Sequence, residues 1–204
     1  MRVTPPGGSN LSLSPLNIIN MEVEEYPFLL TEKECNHIID LAKSKGISTA
    51  TTVGEQIDGY RTAEHCWLDS GDDVIDWVED FISKSINVPI NNFEEPHIVK
   101  YGVGGEYKEH HDWFDVNDLE HHSEIGPHGN RTHSFIIYLN DNFKKGETEF
   151  INLKQTILPQ TGKGLMWTNM KDGVCLDESL HAGLPVTEGE KWILVYWIRE
   201  KKFR

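Results

Sequence analysis

The segment Trp192-Ile193-Leu194-Val195-Tyr196-Trp197-Ile198 is an unbroken run of β-branched, aromatic and leucine side chains. Such a run predicts a buried β-strand, because these are the residues that strands favour. Shorter runs of the same kind, separated by glycine, precede it at Ile98–Tyr101, Ser134–Leu139, Thr148–Ile151 and Gly164–Trp167. Closely spaced short strands are typical of a β-sandwich or β-barrel. The second half of the chain is therefore predicted to be a β structure.

Two amphipathic helices are predicted before these strands. The first begins at Thr31, which has Glu34 as its capping-box partner, and ends at Gly46. The second follows the acidic pair Asp72 and Asp73, which suits the positive end of a helix. The expected buried faces are Cys35, Ile38, Ile39 and Ala42 in the first helix, and Val74, Trp77, Val78, Phe81 and Ile82 in the second. Such helices can brace one outer face of a sheet, so the predicted fold class is mainly β with flanking helices (α+β).

Length and composition predict one globular domain over residues 1–204, with 1–20 as a flexible lead-in rich in proline, glycine and serine. The formal net charge of −14 argues against a broad nucleic-acid surface, which needs clustered lysine and arginine. No apolar stretch approaches the roughly 20 residues of a membrane helix, and no secretion signal is recognisable, so no membrane partner is expected. A cytoplasmic location fits three cysteines in no paired motif: Cys35, Cys66 and Cys175.

The triplet His110-His111-Asp112 is the first candidate for chemistry. On a strand or at its end, residues i and i+2 point the same way, so His110 and Asp112 are expected to face one point. An imidazole and a carboxylate so placed supply two ligands of a two-histidine, one-carboxylate Fe(II) site. A third ligand must come from elsewhere in the chain. His181 is a candidate, because a histidine at a loop edge before a strand can return to the same pocket.

Two other interpretations of these histidines stay open. His111 and Asp115 form a second possible pair, although a spacing of four residues is helical and the neighbourhood has strand character. A histidine and an aspartate two positions apart also arise by chance in a chain with 10 histidines. The residues alone therefore do not separate a metal site from a structural role.

Six motifs follow one another between Pro96 and Arg199. They are Tyr101-Gly102-Val103-Gly104-Gly105-Glu106-Tyr107 before the triplet, Arg131 opening a strand that ends Tyr138-Leu139-Asn140, Gly146-Glu147-Thr148-Glu149-Phe150, Pro159 through Gly164, His181-Ala182-Gly183, and Gly189-Glu190-Lys191-Trp192. In this order they resemble the prolyl 4-hydroxylase branch of the Fe(II)/2-oxoglutarate-dependent dioxygenases. The resemblance implies a double-stranded β-helix (jelly-roll, cupin-like) catalytic core at residues 96–199, braced by the N-terminal helices.

The resemblance also implies a role for each matched residue. The iron ligands and catalytic residues are His110, Asp112 and His181, and the 2-oxoglutarate ligands are Lys191, Tyr101 and Thr148. The alternative for Lys191 is an exposed lysine at a strand end, and Tyr101 and Thr148 could equally be packed strand residues. Arg131 and Trp197 match positions that line the peptide-substrate groove. Trp197 lies an even number of residues after Lys191, so both are expected on one face of the strand.

The implied activity is hydroxylation of proline in a peptide or protein, similar to procollagen-proline 4-dioxygenase, with dioxygen consumed and succinate and CO2 produced. Fe(II), 2-oxoglutarate and ascorbate are the implied cofactors. One alternative is the same iron chemistry on a free amino acid or small molecule, and another is a non-enzymatic jelly-roll metal-binding module. The segment 115–133, with His121, His122, His128 and His133, is predicted to be a long mobile loop that takes part in substrate selection.

Overall fold

The computed structural model describes residues 21, 23–49 and 61–204, so the predicted lead-in at 1–20 lies outside the described residues. The helices are α1 (Glu32–Lys45), α2 (Asp73–Ile86) and the short α3 (His122–Ile125). The strands are β1 (Val23–Tyr26), β2 (Ser48–Thr49), β3 (Glu64–Trp67), β4 (His97–Tyr101), β5 (Tyr107–His110), β6 (Arg131–Tyr138), β7 (Lys144–Lys145), β8 (Thr148–Phe150), β9 (Gln155–Ile157), β10 (Gly164–Thr168), β11 (Met170–Lys171), β12 (Val174–Cys175), β13 (His181–Gly183), β14 (Val186–Glu188) and β15 (Lys191–Arg199). No helix among these residues is long and apolar enough to cross a membrane.

Two antiparallel sheets form the body of the structure. The larger has seven strands in the order β1-β10-β6-β15-β4-β3-β2, and the smaller has four in the order β5-β13-β8-β9. Side chains from both sheets line one cavity, and α1 and α2 contribute to an apolar cluster on the other face of the larger sheet. The prediction of a mainly β structure with helices on one outer face is confirmed.

Strand β15 shows how the two faces of the larger sheet differ. It lies between β6 and β4, and all nine of its residues are buried. Trp192, Leu194 and Tyr196 pack in the cluster with the helices, whereas Lys191 and Trp197 line the cavity. This alternation follows from the two-residue period of a strand. It confirms that Lys191 and Trp197 share a face.

Helix α1 has the predicted ends. The Thr31 hydroxyl accepts a hydrogen bond from the Glu34 amide at 3.3 Å, and the Glu34 carboxylate accepts one from the Thr31 amide at 2.7 Å. These two bonds complete the capping box and satisfy amides that a helix start leaves unpaired. At the other end, Gly46 has a φ of 92°, a conformation that glycine tolerates. The apolar face at Cys35, Ile38, Ile39 and Ala42 is buried as predicted.

Helix α2 forms where predicted, but its buried face is rotated. Trp77 was expected in the core and is 48% exposed, where it stacks on Phe81, whereas Ile75 is fully buried. The reason is Glu79, which occupies the core-facing side because its carboxylate pairs with Arg204 at 2.6 Å. Because a charged residue lies on the buried face of α2, the apolar residues alone predict a face that is rotated by about one residue from the observed one.

The prediction of a loop over 115–133 is wrong in part. Leu119–His121 and Gly126–His128 form short 3-10 turns on either side of α3, and β6 begins at Arg131. Two histidines of this segment bond to main-chain carbonyls: His122 to Val116 at 2.8 Å and His128 to Lys202 at 2.7 Å. These contacts give the segment regular local structure.

Candidate metal centre and its cavity

Three side chains meet where the smaller sheet borders the cavity. His110 is the last residue of β5 and lies directly opposite His181, the first residue of β13, while Asp112 follows two positions after β5 ends. The Asp112 carboxylate is 3.7 Å from the Nε2 atom of each histidine, and the possible ligand atoms all lie within 4.8 Å of one another. The structure therefore brings together the three residues that the sequence proposed as ligands.

Both histidine rings are oriented through the nitrogen that faces away from this cluster. Nδ1 of His110 donates to the Lys108 carbonyl at 2.7 Å, and Nδ1 of His181 donates to the Ser179 carbonyl at 2.8 Å. In each ring Nε2 is then the nitrogen that faces the cluster and can bind a metal. Burial lowers the pKa of His110 to about 3, so its ring is neutral at physiological pH.

Asp112 completes the donor set as an ionised carboxylate. Burial acts to raise its pKa, but His181, His110, Arg131 and the Ser134 hydroxyl together bring the pKa below its usual value. Two imidazole nitrogens and one carboxylate are the donors of a two-histidine, one-carboxylate Fe(II) site, so these residues fit that metal. Among the described residues, His111 and Asp115 join no such group, because His111 packs against Trp113 and the Asp115 carboxylate accepts from Asn117.

The cavity beside this cluster holds about 460 Å³ of empty space, its open mouth included. Lys191 lies in its wall, 2% exposed, with Nζ donating to the Gly146 carbonyl at 2.7 Å. In the part of the chain that the structure describes, no carboxylate lies within ion-pair distance of this ammonium, and burial lowers the pKa of Lys191 to about 7. Lys191 is thus a buried amine, not an exposed strand-end lysine, and in its protonated form it suits an anionic ligand.

Two hydroxyl groups in the same wall are available as donors. Thr148 accepts a hydrogen bond from the Tyr138 hydroxyl at 2.6 Å, which leaves its own proton free. Tyr101 is buried and its hydroxyl is hydrogen-bonded to Arg61. Because an arginine only donates, this bond does not use the Tyr101 proton, and no other partner for it is found among the described residues. The sequence analysis missed Arg61, which lies over the Tyr107 ring at 4.9 Å, because nothing in its local pattern marks it.

The two proposed substrate residues have different positions. Trp197 lines the cavity, whereas the Arg131 guanidinium lies 3.8 Å from the centre of the Trp197 ring and outside the cavity wall. Arg131 makes a two-pronged ion pair with Glu94 at 2.7 Å through Nε and Nη2. Arg131 therefore packs against the Trp197 ring. The ion pair with Glu94, a residue that the sequence analysis missed, holds the Arg131 side chain in place.

Comparison with known proteins agrees with this geometry. Residues 96–199 match the sequence profile of the 2OG-Fe(II) oxygenase superfamily. A putative prolyl 4-hydroxylase of Acanthamoeba polyphaga mimivirus is 33% identical over 177 residues, which cover 86% of this chain and 73% of that protein. The prolyl 4-hydroxylase subunit alpha-1 of Caenorhabditis elegans is 32% identical, but the match covers 85% of this chain and only 32% of that subunit.

A solved structure extends the similarity to three dimensions. The viral collagen prolyl hydroxylase of Paramecium bursaria Chlorella virus 1, determined as its 2-oxoglutarate complex, aligns with a TM-score of 0.72 and 29% identity. The alignment covers 87% of this chain and 95% of that one. The chain belongs to the 2OG-Fe(II) oxygenase superfamily and has its jelly-roll fold. Within that superfamily, the relatives named here are prolyl hydroxylases.

Proposed function

We propose that this protein is a prolyl 4-hydroxylase that uses Fe(II) and 2-oxoglutarate to hydroxylate proline in a peptide or protein. The observation that carries the proposal is one cavity that holds both the buried cluster of His110, Asp112 and His181 and the buried ammonium of Lys191. An iron enzyme with a dicarboxylate cosubstrate needs both features. The prolyl hydroxylases among the relatives support the choice of proline.

His110, Asp112 and His181 are proposed to hold the metal. Fe(II) bound there supplies the redox chemistry that couples decarboxylation of 2-oxoglutarate to hydroxylation of a C–H bond. The protein's part is to present two Nε2 atoms and a carboxylate without rearrangement, because the Nδ1 bonds to main chain already orient both rings. Apolar side chains in the cavity wall, Ile136, Ile193 and Val195, exclude water from the reacting atoms.

Lys191 is proposed to bind the distal carboxylate of 2-oxoglutarate, with hydroxyl donors from Thr148 and Tyr101. A Cβ built on Gly183 would lie 4.0 Å from Lys191 Nζ, and Gly183 follows His181 by two positions on β13. Two strand residues span about 6.6 Å, which is the length scale of a five-carbon dicarboxylate. A charge-assisted bond to the ammonium then orients the cosubstrate along the strand.

Trp197 is proposed to pack against the target proline at the cavity wall, with Arg131 holding its ring. A free amino acid or small molecule is the second candidate substrate, and the peptide is preferred because the relatives are prolyl hydroxylases. Ascorbate is proposed as the reductant that keeps iron ferrous. A cytoplasmic location is also proposed, supported by free thiols on Cys35, Cys66 and Cys175.

The first test needs no substrate. Fe(II) is added to the metal-free protein without oxygen, then 2-oxoglutarate, and the visible charge-transfer band of the chelate is measured. We expect the band in the wild type and its loss in His181→Ala. The control is His37→Ala, which removes an exposed histidine that bonds to Asp72 and should keep the band. Iron binding without a band would overturn the proposal and favour the binding module.

Substrate choice is tested next with a panel of proline-containing peptides and free proline. Turnover is followed as succinate produced and as the gain of one oxygen by the substrate. We expect hydroxylation of a peptide and none of free proline. Hydroxylation of free proline or another small molecule alone would retain the iron chemistry and replace the peptide by the second candidate.

A further inference from the structure

The Asp112 carboxylate is the end of a buried hydrogen-bond chain that reaches into the larger sheet. Ser134 Oγ donates to Asp112 Oδ2 at 2.5 Å, and Asn169 Nδ2 donates to Ser134 Oγ at 2.8 Å. Ser134 and Asn169 are both fully buried. We propose that this Asn169–Ser134 relay positions Asp112 for metal binding, an inference that rests on the proposed ligand role of Asp112.

The direction of the relay follows from its donors. A serine hydroxyl has one proton, and an amide nitrogen only donates. With Asn169 donating to the hydroxyl oxygen, the Ser134 proton is left to bond Asp112. The bond occupies Oδ2 and restrains rotation of the carboxylate, so Oδ1 stays 3.7 Å from Nε2 of His110. Oδ1 is thereby kept facing the site where His110, Asp112 and His181 are proposed to bind the metal.

Asp112 needs this support more than the two histidines do. His110 and His181 lie on paired strands, so their main chains are fixed by the sheet. Asp112 lies beyond the end of β5 and outside any strand. Its side-chain contacts must therefore fix its position. Removing a residue that hydrogen-bonds to a metal ligand commonly weakens metal affinity by roughly 10–100-fold.

Asn169 is held rigidly enough to serve as the start of the relay. The main-chain amide of Asn169 donates to the Thr132 carbonyl at 2.7 Å, and its main-chain carbonyl accepts from the Leu176 amide at 2.9 Å. These main-chain bonds fix Asn169 independently of its side chain. The relay therefore connects β6 and the end of β10, in the larger sheet, to a ligand beside the smaller sheet.

The first experiment measures metal affinity instead of turnover. The dissociation constant of Co(II), used as a stable probe of the site, is measured for Ser134→Ala by competition with a chelator. We expect it to rise about 10–100-fold. The matched control is Ser83→Ala, which also removes a hydrogen-bonding hydroxyl, but one that donates to the Val88 main-chain carbonyl at 2.8 Å, and it should leave the affinity unchanged. The visible Co(II) spectrum at saturation should shift in Ser134→Ala and not in Ser83→Ala.

A double-mutant cycle separates the relay from a general loss of packing. If Asn169 acts through Ser134, Asn169→Ala weakens Co(II) binding in the wild type and adds almost nothing in Ser134→Ala. Thermal midpoints of the metal-free variants show that each is folded. Additive losses, or wild-type affinity and spectrum in folded Ser134→Ala, would overturn the relay. If His181→Ala binds Co(II) as tightly as the wild type, the proposed metal site itself fails.

Discussion

Lys191 should make 2-oxoglutarate binding depend on pH. Burial lowers the pKa of its ammonium to about 7 in the free protein, and a bound carboxylate raises that pKa again. Below pH 7 the cation is already present, so affinity is constant. Above pH 7 a proton must be taken up on binding, and the dissociation constant should rise about tenfold per pH unit until the pKa of the complex is reached.

The size of the effect follows from the same pKa. At pH 8 a group with a pKa of about 7 is about one-tenth protonated, so binding should take up about 0.9 proton per 2-oxoglutarate. Isothermal titration calorimetry of the metal-loaded protein without oxygen measures this number, when the observed heat is compared in buffers of different ionisation enthalpy.

Two variants isolate Lys191 as the cause. Lys191→Arg keeps a charge at every pH tested, so proton uptake should disappear even if affinity falls. Lys191→Met removes the charge, and the dissociation constant at pH 6.5 should rise at least about 100-fold, because loss of one partner of a buried ion pair costs roughly 3–5 kcal/mol. An affinity that is flat from pH 6.5 to 8.5 with no proton uptake in the wild type would refute the reasoning.

Two predictions concern stability and are measured by urea unfolding. Ile75→Ala should lower the free energy of unfolding by about 2–5 kcal/mol, because the Ile75 side chain is fully buried. Trp77→Ala should lower it by less than about 1.5 kcal/mol, because Trp77 is half exposed. Equal losses would contradict the observed buried face of α2. Gly162→Ala should cost roughly 3 kcal/mol or more, since its Cβ would lie 1.9 Å from the Leu30 carbonyl oxygen. Gly173→Ala, with the same φ of 77° and open space around it, should cost only about 1 kcal/mol.

Features that depend on neighbours in the chain were predictable from the sequence. The capping box of α1 and the strand character of β15 are local patterns, and the predicted run at 192–198 differs from β15 by one residue at each end. The approach of His110 and Asp112 follows from their two-residue spacing. The meeting of His181 with that pair came from the order of motifs and the resemblance, because spacing alone does not bring distant residues together.

Features that depend on contacts between distant segments were not predictable. Arg61, Glu94 and the Asn169–Ser134 relay act through partners many residues away, and no periodicity marks them. The burial of Glu79 depends on Arg204 for the same reason. Strand order in the larger sheet likewise joins segments far apart in the chain, as in the pairing of β1 with β10.

Because His110 pairs directly with His181, the proposed metal centre forms only when β5 and β13 are aligned in the observed register. Because side chains alternate along a strand, a shift of β13 by one residue would place Ala182 opposite His110 and turn the His181 ring to the other face. The strands of the smaller sheet have only three or four residues, so few ladder bonds oppose such a shift. A metal that binds only the native alignment stabilises it by mass action, so iron bound at this site would also add to the stability of the smaller sheet.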